Sequence, residues 1–493
     1  MSRASVIVSL LIAAGLTALS LVTVRPATSA AAERVIVLQL DPAQVTELSV
    51  VRDGVERRVQ RGRLPGQWIV HTGAAAWPIA PERMRAALRV LAELRGAPAE
   101  EVPGAGAPTL RIARADGEPL TLRISPPGLG GRRLIGVVGS GGEVRGYQVD
   151  DWLHEAFIGA GPDQWRARSA MPGVSLEASR LTLATQQMRI AISRGGGRWG
   201  LTAPVGAPAS EQAVEALLGL LSQLGIMRFY DEAPAEAITG LDEPVATIRI
   251  ERDMQIPEGA GMRRITEVVT LEVGAPTDTT MSSLFARVTI DSSLEGAPRG
   301  QAIMAISAEA LNRINPRPEA YIAETAAQAP ASEIGALGLA PADGAESIVT
   351  LERAAEGWLV RAGPRDGAQL SADQSAALGE ALRTICQRPA GAVLIEAPEG
   401  YTPQLRIELR SLGGSPLAIV DMGSMPAPQQ AGTGMFLVIR SGQVWRVYES
   451  QTLPALDLLA SFLPAPAGPE ALPAEASEPP AGAEPAPEGA GGG

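Results

Sequence analysis

The sequence predicts an α+β protein: three tandem repeats, each an antiparallel sheet with one main amphipathic helix, after an N-terminal transmembrane helix. Three observations predict it. One arrangement of a Trp-bearing strand, a Pro/Gly loop and an amphipathic helix occurs three times. Gln67-Trp68-Ile69 leads into Pro81 to Leu94, Trp199 leads into Ser210 to Leu224, and Gly357-Trp358-Leu359 leads into Ser371 to Cys386. The register after each Trp is nearly held: Pro108 follows Trp68 by 40 residues, and Pro244 and Pro403 follow Trp199 and Trp358 by 45 each. Long self-similar periods mark duplicated units. Finally, Ala4 to Val24 is an uncharged run of 21 residues, and about 20 apolar residues span a bilayer as a helix.

The expected organisation is residues 1–32 as membrane anchor or signal peptide, repeats at 41–160, 174–320 and 332–463, and a disordered tail at 464–493. The first run is flanked by Arg3 and Arg25-Pro26, and Thr28-Ser29-Ala30-Ala31-Ala32 offers small residues for cleavage. A cleaved signal has an apolar core of about 7–15 residues, so the length favours an uncleaved anchor. Either alternative exports the rest of the chain.

In the first repeat, Val45 to Val51 alternates as a strand, Arg52-Asp53-Gly54 turns it, and Val55 to Gln60 returns. Trp68 to Val70 is a third strand. Pro81 suits the first turn of the helix, and Met84, Leu88, Leu91 and Leu94 recur at helical spacing. Leu110 to Ala113, Leu120 to Ile124 and two strands around Gly139, Gly141 and Gly142 follow, closed by a short helix at Trp152 to Phe157.

The second repeat reads the same way. Leu181 to Thr185 and Met188 to Ser193 pair, and Trp199 to Thr202 comes next. Ser210 is placed to cap the helix, whose stripe is Val214, Leu217, Leu218, Leu221 and Leu224. Strands are expected at Ala246 to Arg252, Val268 to Val273, Leu284 to Ile290 and Ala302 to Ser307. In the third, Ser347 to Arg353 and Trp358 to Arg361 are strands, and Ser371 with Gln374 forms a capping box. Four further strands lead to a closing helix at Leu453 to Phe462. A helix on one face of each sheet is the economical packing. Pro464 to Gly493 is almost wholly Pro, Ala, Glu and Gly, a mix that buries too little apolar area to offset ordering entropy.

Composition excludes several chemistries. All 42 basic residues are Arg, so a lysine Schiff base and a P-loop lysine are excluded. The net charge of −12 argues against nucleic acid as a partner. Five of those charges are the glutamates of the tail, leaving an ordinary soluble surface. The lone Cys386 excludes an intrachain disulfide.

The repeated unit resembles the bacterial domain-of-unknown-function family 4340 over roughly Asp41 to Phe462, and the second repeat fits it best. The residues that carry the resemblance are Trp199, Pro204, the stripe from Val214 to Leu224, and Gly240-Leu241-Asp242 with Pro244. The first repeat lacks the Gly-Leu-Asp triplet, and Gly338-Leu339 of the third lies before Trp358 rather than after it. The resemblance implies a single-pass envelope protein with a scaffolding or transport-associated role beside ABC-type and gliding-type systems. It implies no catalytic residue.

Each constellation that could carry chemistry has a structural explanation. Gly195-Gly196-Gly197-Arg198-Trp199-Gly200 fits GxGxxG, but a strand follows where the dinucleotide fingerprint needs a helix. His71, His154 and Cys386 are too scattered for a zinc set. Cys386 ends an apolar stripe, as a buried hydrophobe would. The pairs Asp150-Asp151 and Glu100-Glu101 sit at element ends. Asp242 suits a turn or cap. Trp68, Trp199 and Trp358 could stack a ligand, but their equivalent places suit covers for each helix. No catalytic, cofactor-binding or metal residue is therefore assigned, and no cofactor is expected.

Two functions follow as expectations. One is a non-catalytic protein held at the inner membrane by a single N-terminal span, with its bulk outside the cytoplasm. It would act as a scaffold or accessory subunit, partnering the membrane and, as the resemblance implies, ABC-transporter accessory proteins. The other is a secreted or periplasmic binding module for glycan or peptide.

Overall fold

The computed structural model describes residues 33–464 except 65, 73–74, 127–131, 140, 160–161, 260, 296–298, 345, 428–433 and 450–452. It corrects the expected fold class. The protein is mostly antiparallel sheet, with 48% of residues in strands and 19% in helices, and so is not an α+β protein. No helix among the described residues is long and apolar enough to cross a membrane. Ala4–Val24 and the tail from 465 onward lie outside the described residues. The helical stripes stand out in the sequence because their period is regular, whereas the strands are longer than their apolar alternation. Val268 to Val273 is the centre of a strand that runs Gly261–Pro276.

The chain divides into two compact units, Met1–Ile322 and Ala323–Gly493. The first holds two sheet segments. Strands β1 (Val35–Ile36), β2 (Val45–Arg52), β3 (Val55–Arg61), β4 (Trp68–Thr72) and β5 (Ala75–Pro78) precede helix Pro81–Ala92. After it come β6 (Arg95–Ala99), β7 (Thr109–Arg114), β8 (Leu120–Ile124), β9 (Arg132–Val138) and β10 (Val144–Asp150). They pair antiparallel in the order β5-β4-β3-β2-β7-β8-β9-β10-β6-β1.

The second segment has β11 (Ala178–Thr185), β12 (Arg189–Gly195), β13 (Arg198–Ala203) and β14 (Ala207–Pro208) before helix Glu211–Ser222. It continues with β15 (Ile226–Tyr230), β16 (Ala246–Glu258), β17 (Gly261–Pro276), β18 (Ser283–Ser292) and β19 (Gly300–Ser307). Their order is β14-β13-β12-β11-β16-β17-β18-β19-β15. A bridge between Ala76 in β5 and Gln301 in β19 joins the two segments, so 19 strands form one hydrogen-bonded network.

In the second unit, β20 (Ile334–Pro341), β21 (Val349–Ala354) and β22 (Gly357–Ala362) precede helix Ala372–Cys386. Then come β23 (Ala392–Leu394), β24 (Thr402–Ser411), β25 (Pro416–Pro426), β26 (Met435–Ser441) and β27 (Val444–Tyr448). They pair as β22-β21-β20-β24-β25-β26-β27-β23.

One order thus occurs three times. The strand straight after each helix lies at the far side of the sheet, beside the last strand of the meander. The helix must therefore cross the sheet face, and this is why it carries an apolar stripe. Met84, Leu88 and Leu91, then Val214, Leu217, Leu218 and Leu221, then Leu378, Ala381, Leu382 and Ile385 are all buried. Caps fix where the helices begin. Ser210 Oγ accepts from Ala213 N at 3.3 Å. Ser371 Oγ accepts from Gln374 N at 3.2 Å, while Gln374 Oε1 accepts from Ser371 N at 3.0 Å. The Gly-Leu-Asp triplet follows a one-turn helix, Glu236–Thr239, whose cap Gly240 has φ +61°. Gly274 lies opposite it: a Cβ there would stand 2.1 Å from Thr239 O. Gly338-Leu339 of the third segment is instead part of strand β20.

Candidate functional site

A cleft of about 410 Å³ opens beside helix Pro81–Ala92 in the first unit. The helix explains it. Met84, Leu88 and Leu91 face the sheet, and a second stripe, Arg83, Ala86, Ala87 and Val90, runs beside them at helical spacing. Two alanines in that stripe leave space that larger side chains would fill. Leu48 and Ile79 form part of the floor, and Ala156, Phe157, Trp165 and Arg168 the opposite wall.

That wall is built by the segment after β10. Trp152–His154 is a short helix, and Glu155–Gly159 widens into a π turn. Leu153, Phe157 and Ile158 are buried. Trp165 Nε1 donates to Ala156 O at 3.1 Å, and its ring meets Phe157 edge-on at 5.9 Å. Arg52 Nη1 holds Ile158 O at 3.2 Å. Glu155 at the rim faces His154, with Nδ1 to Oε1 at 3.7 Å. Arg83 and Arg168 are exposed at the rim, and neither forms an ion pair with a described residue.

The three tryptophans are core residues, 4–5% exposed. Each lies under an arginine directly opposite it on the neighbouring strand. Arg61 covers Trp68 at 5.1 Å, Arg194 covers Trp199 at 5.5 Å, and Arg353 covers Trp358 at 5.3 Å. Each guanidinium also donates to the backbone just ahead of β2, β11 or β20. The acceptors are Pro42 O and Ala43 O, Leu176 O, and Ala331 O and Ser332 O. This arrangement locks the hairpins β3–β4, β12–β13 and β21–β22 and leaves no open ring face for a ligand. It was not read from the sequence, although Arg-x4-Trp at Arg194 and Arg353 is a visible signal.

The other singled-out residues stay apart. Gly196 and Gly197, with φ +58° and +84°, turn the β12–β13 hairpin. Cys386 is buried at the end of its helix, and burial pushes its thiol up to about 11, away from nucleophilic use. His71 sits on β4 and His154 in the closing turn. Burial, helped by Arg58 and Arg133 respectively, lowers the pKa of each. Asp150 is paired with Arg34 and Asp151 with the buried Arg133. Glu100 and Glu101 are exposed, and Asp242 lies in the bend after Gly240. Among the described residues no group of three or more His, Cys, Asp or Glu could hold a metal ion.

Residues 199–387 match the family described as Domain of unknown function (DUF4340). The matched stretch starts at Trp199 and ends just past helix Ala372–Cys386, so it covers one full period plus the next helix. The resemblance carried by Trp199, the helical stripe and the Gly-Leu-Asp triplet holds over this stretch. No curated protein and no solved structure gives a significant match to the chain.

Proposed function

We propose that the protein is a non-catalytic envelope protein acting as a scaffold or accessory subunit, of the ABC-type or gliding-type system that the family resemblance implies. In this reading Ala4–Val24 anchors it in the inner membrane, and the bulk lies outside the cytoplasm. The observation that carries it is the Arg-on-Trp lock used three times. The side chains best suited to recognition are spent on fastening hairpins, as in a repeated structural element. Charge on the sheets is spent in the same way: Arg180 with Glu251, Arg361 with Glu352, and Arg406 with Asp421 are cross-strand pairs. The test is crosslinking of the full chain in intact cells, followed by a carbonate wash and protease treatment of spheroplasts. Retention in the membrane, digestion from outside and capture of transporter subunits support the reading. Release of a soluble chain with a new N-terminus near Ala31 overturns it.

One observation favours the second reading, a binding module. The 410 Å³ cleft falls in the size range of ligand pockets, about 300–1,000 Å³. Its apolar wall suits an apolar group rather than a glycan.

A further inference from the structure

We propose that the cleft beside helix Pro81–Ala92 binds a long-chain carboxylate, an amphiphile of the fatty-acid type. Its chain would lie between the helix and the wall made by Ala156, Phe157 and Trp165, with its carboxylate at Arg83 and Arg168. This does not rest on the scaffold reading and stands or falls separately.

The cleft is about 410 Å³, and Met84, Ala87, Val90, Phe157 and Trp165 make most of its contact surface apolar. A flexible apolar chain gains from leaving water there without demanding polar partners. The rim supplies the charge complement. Arg83 and Arg168 have no ion-pair partner among the described residues. The acid in the lining, Glu155, is turned toward His154. A guanidinium is suited to hold a carboxylate with two parallel hydrogen bonds.

The third segment shows that this interface wants apolar filling. There helix Leu453–Ala460 packs directly on helix Ala372–Cys386 and buries Leu456, Leu459 and Phe462. In the first segment the corresponding stretch is a three-residue helix and a π turn, and the gap stays open.

The test uses the full chain and 9,10-dibromostearate, which quenches tryptophan on contact. Saturable quenching below the micelle concentration is expected, with the main component lost in Trp165→Phe. Ala86→Glu changes an exposed lining residue, so the fold is kept, and it should weaken quenching severalfold. Arg83→Glu with Arg168→Glu should do the same, and the methyl ester should bind more weakly than the acid. Absence of saturable quenching overturns the proposal. So does quenching indifferent to Ala86→Glu, or equal binding of ester and acid. A synthetic peptide copying Leu453–Leu463 that shifts Trp165 emission where the fatty acid does not would overturn it in favour of a helical partner.

Discussion

Helix Pro81–Ala92 and helix Ala372–Cys386 each cross a sheet of the same strand order, yet they are covered differently. The third segment spends an eight-residue helix on the cover, and its core is one continuous cluster from Ala326 to Phe462. The first segment spends a short helix, a π turn and the one-turn helix Pro162–Trp165, and leaves the cleft. The same topology therefore carries either a closed core or a cavity, depending on a few residues after the last strand. Closing an interface strengthens a segment, while leaving it open provides a place for something else.

The largest expected effect comes from cutting into the closed interface. Leu459 is 1% exposed, and Leu459→Ala should cost about 2–5 kcal/mol, because a buried cavity is left behind. Val90→Ala at the lip of the open cleft should cost well under ~1 kcal/mol, since Val90 already faces space. Urea unfolding of the full chain, followed by hydrogen exchange in each helix, measures both. Equal costs would remove the distinction between the two interfaces.

Enlargement should have the opposite pattern. Ala381 is fully buried between helix and sheet, so Ala381→Leu should destabilise by about 1–3 kcal/mol through overpacking. Ala87→Leu projects into the cleft and should be neutral or stabilising by up to about 1 kcal/mol. A destabilising Ala87→Leu would mean that the cleft is less open than its geometry states.

How much of this is legible in the sequence depends on which residues carry the signal. The three main helices, the Ser210 and Ser371 caps and the hairpins before the helices are legible, because the 3.6-residue stripe and the turn residues are local. The strands after the helices are not. Ile226–Tyr230 has aromatic and β-branched residues that could have marked it, but Arg95–Ala99 reads Arg-Gly-Ala-Pro-Ala and Ala392–Leu394 has three residues. Gly96 is chosen by close packing on Tyr147 and Val149, a tertiary reason with no local sign. Strand β20 hides for the same reason, since its glycines suit close neighbours at Ser347 and Leu412. The cleft is half legible: Ala86 and Ala87 are plain, but the width of the turn opposite them is set by a π turn.

A smaller effect separates the Arg-on-Trp locks. Arg353→Gln removes a cation–π contact and two hydrogen bonds to the entry backbone. At an exposed site this should cost about 1–2 kcal/mol. Arg194→Gln should cost slightly less, because only its 3.1 Å bond to Leu176 O reaches the entry segment. Hydrogen exchange should speed up first at Val349–Ala354 and Arg189–Gly195 respectively, the strands that carry the two arginines. If exchange in these strands is unchanged, the arginines are surface decoration and the tryptophans alone hold the hairpins.

The smallest expected effect is a difference in acid response between the two units. The chain has two histidines, and both lie in Met1–Ile322. Burial lowers each below the ordinary 6.5, with Arg58 adding to it at His71 and Arg133 at His154. The folded protein thus keeps both rings neutral where the unfolded chain would protonate them. Above pH 6.5 neither state carries the proton, and the stabilisation is complete. As pH falls below that value the unfolded chain takes up protons that the fold refuses, so stability declines. Carboxylates whose pKa is lowered, Glu56 and Glu380 from 4.5 and Asp253 and Asp278 from 3.8, lose their contribution only at more acid pH. The interval from about pH 7.5 to 5.5 therefore isolates the histidines. Rate-corrected hydrogen exchange of the full chain should show protection falling across Trp68–Thr72 and Trp152–His154, while Met435–Ser441 is unchanged. Glutamine at His71 and His154 should flatten the first response. An equal loss in Met435–Ser441, or a response that survives both substitutions, would assign the acid sensitivity to something other than these two rings.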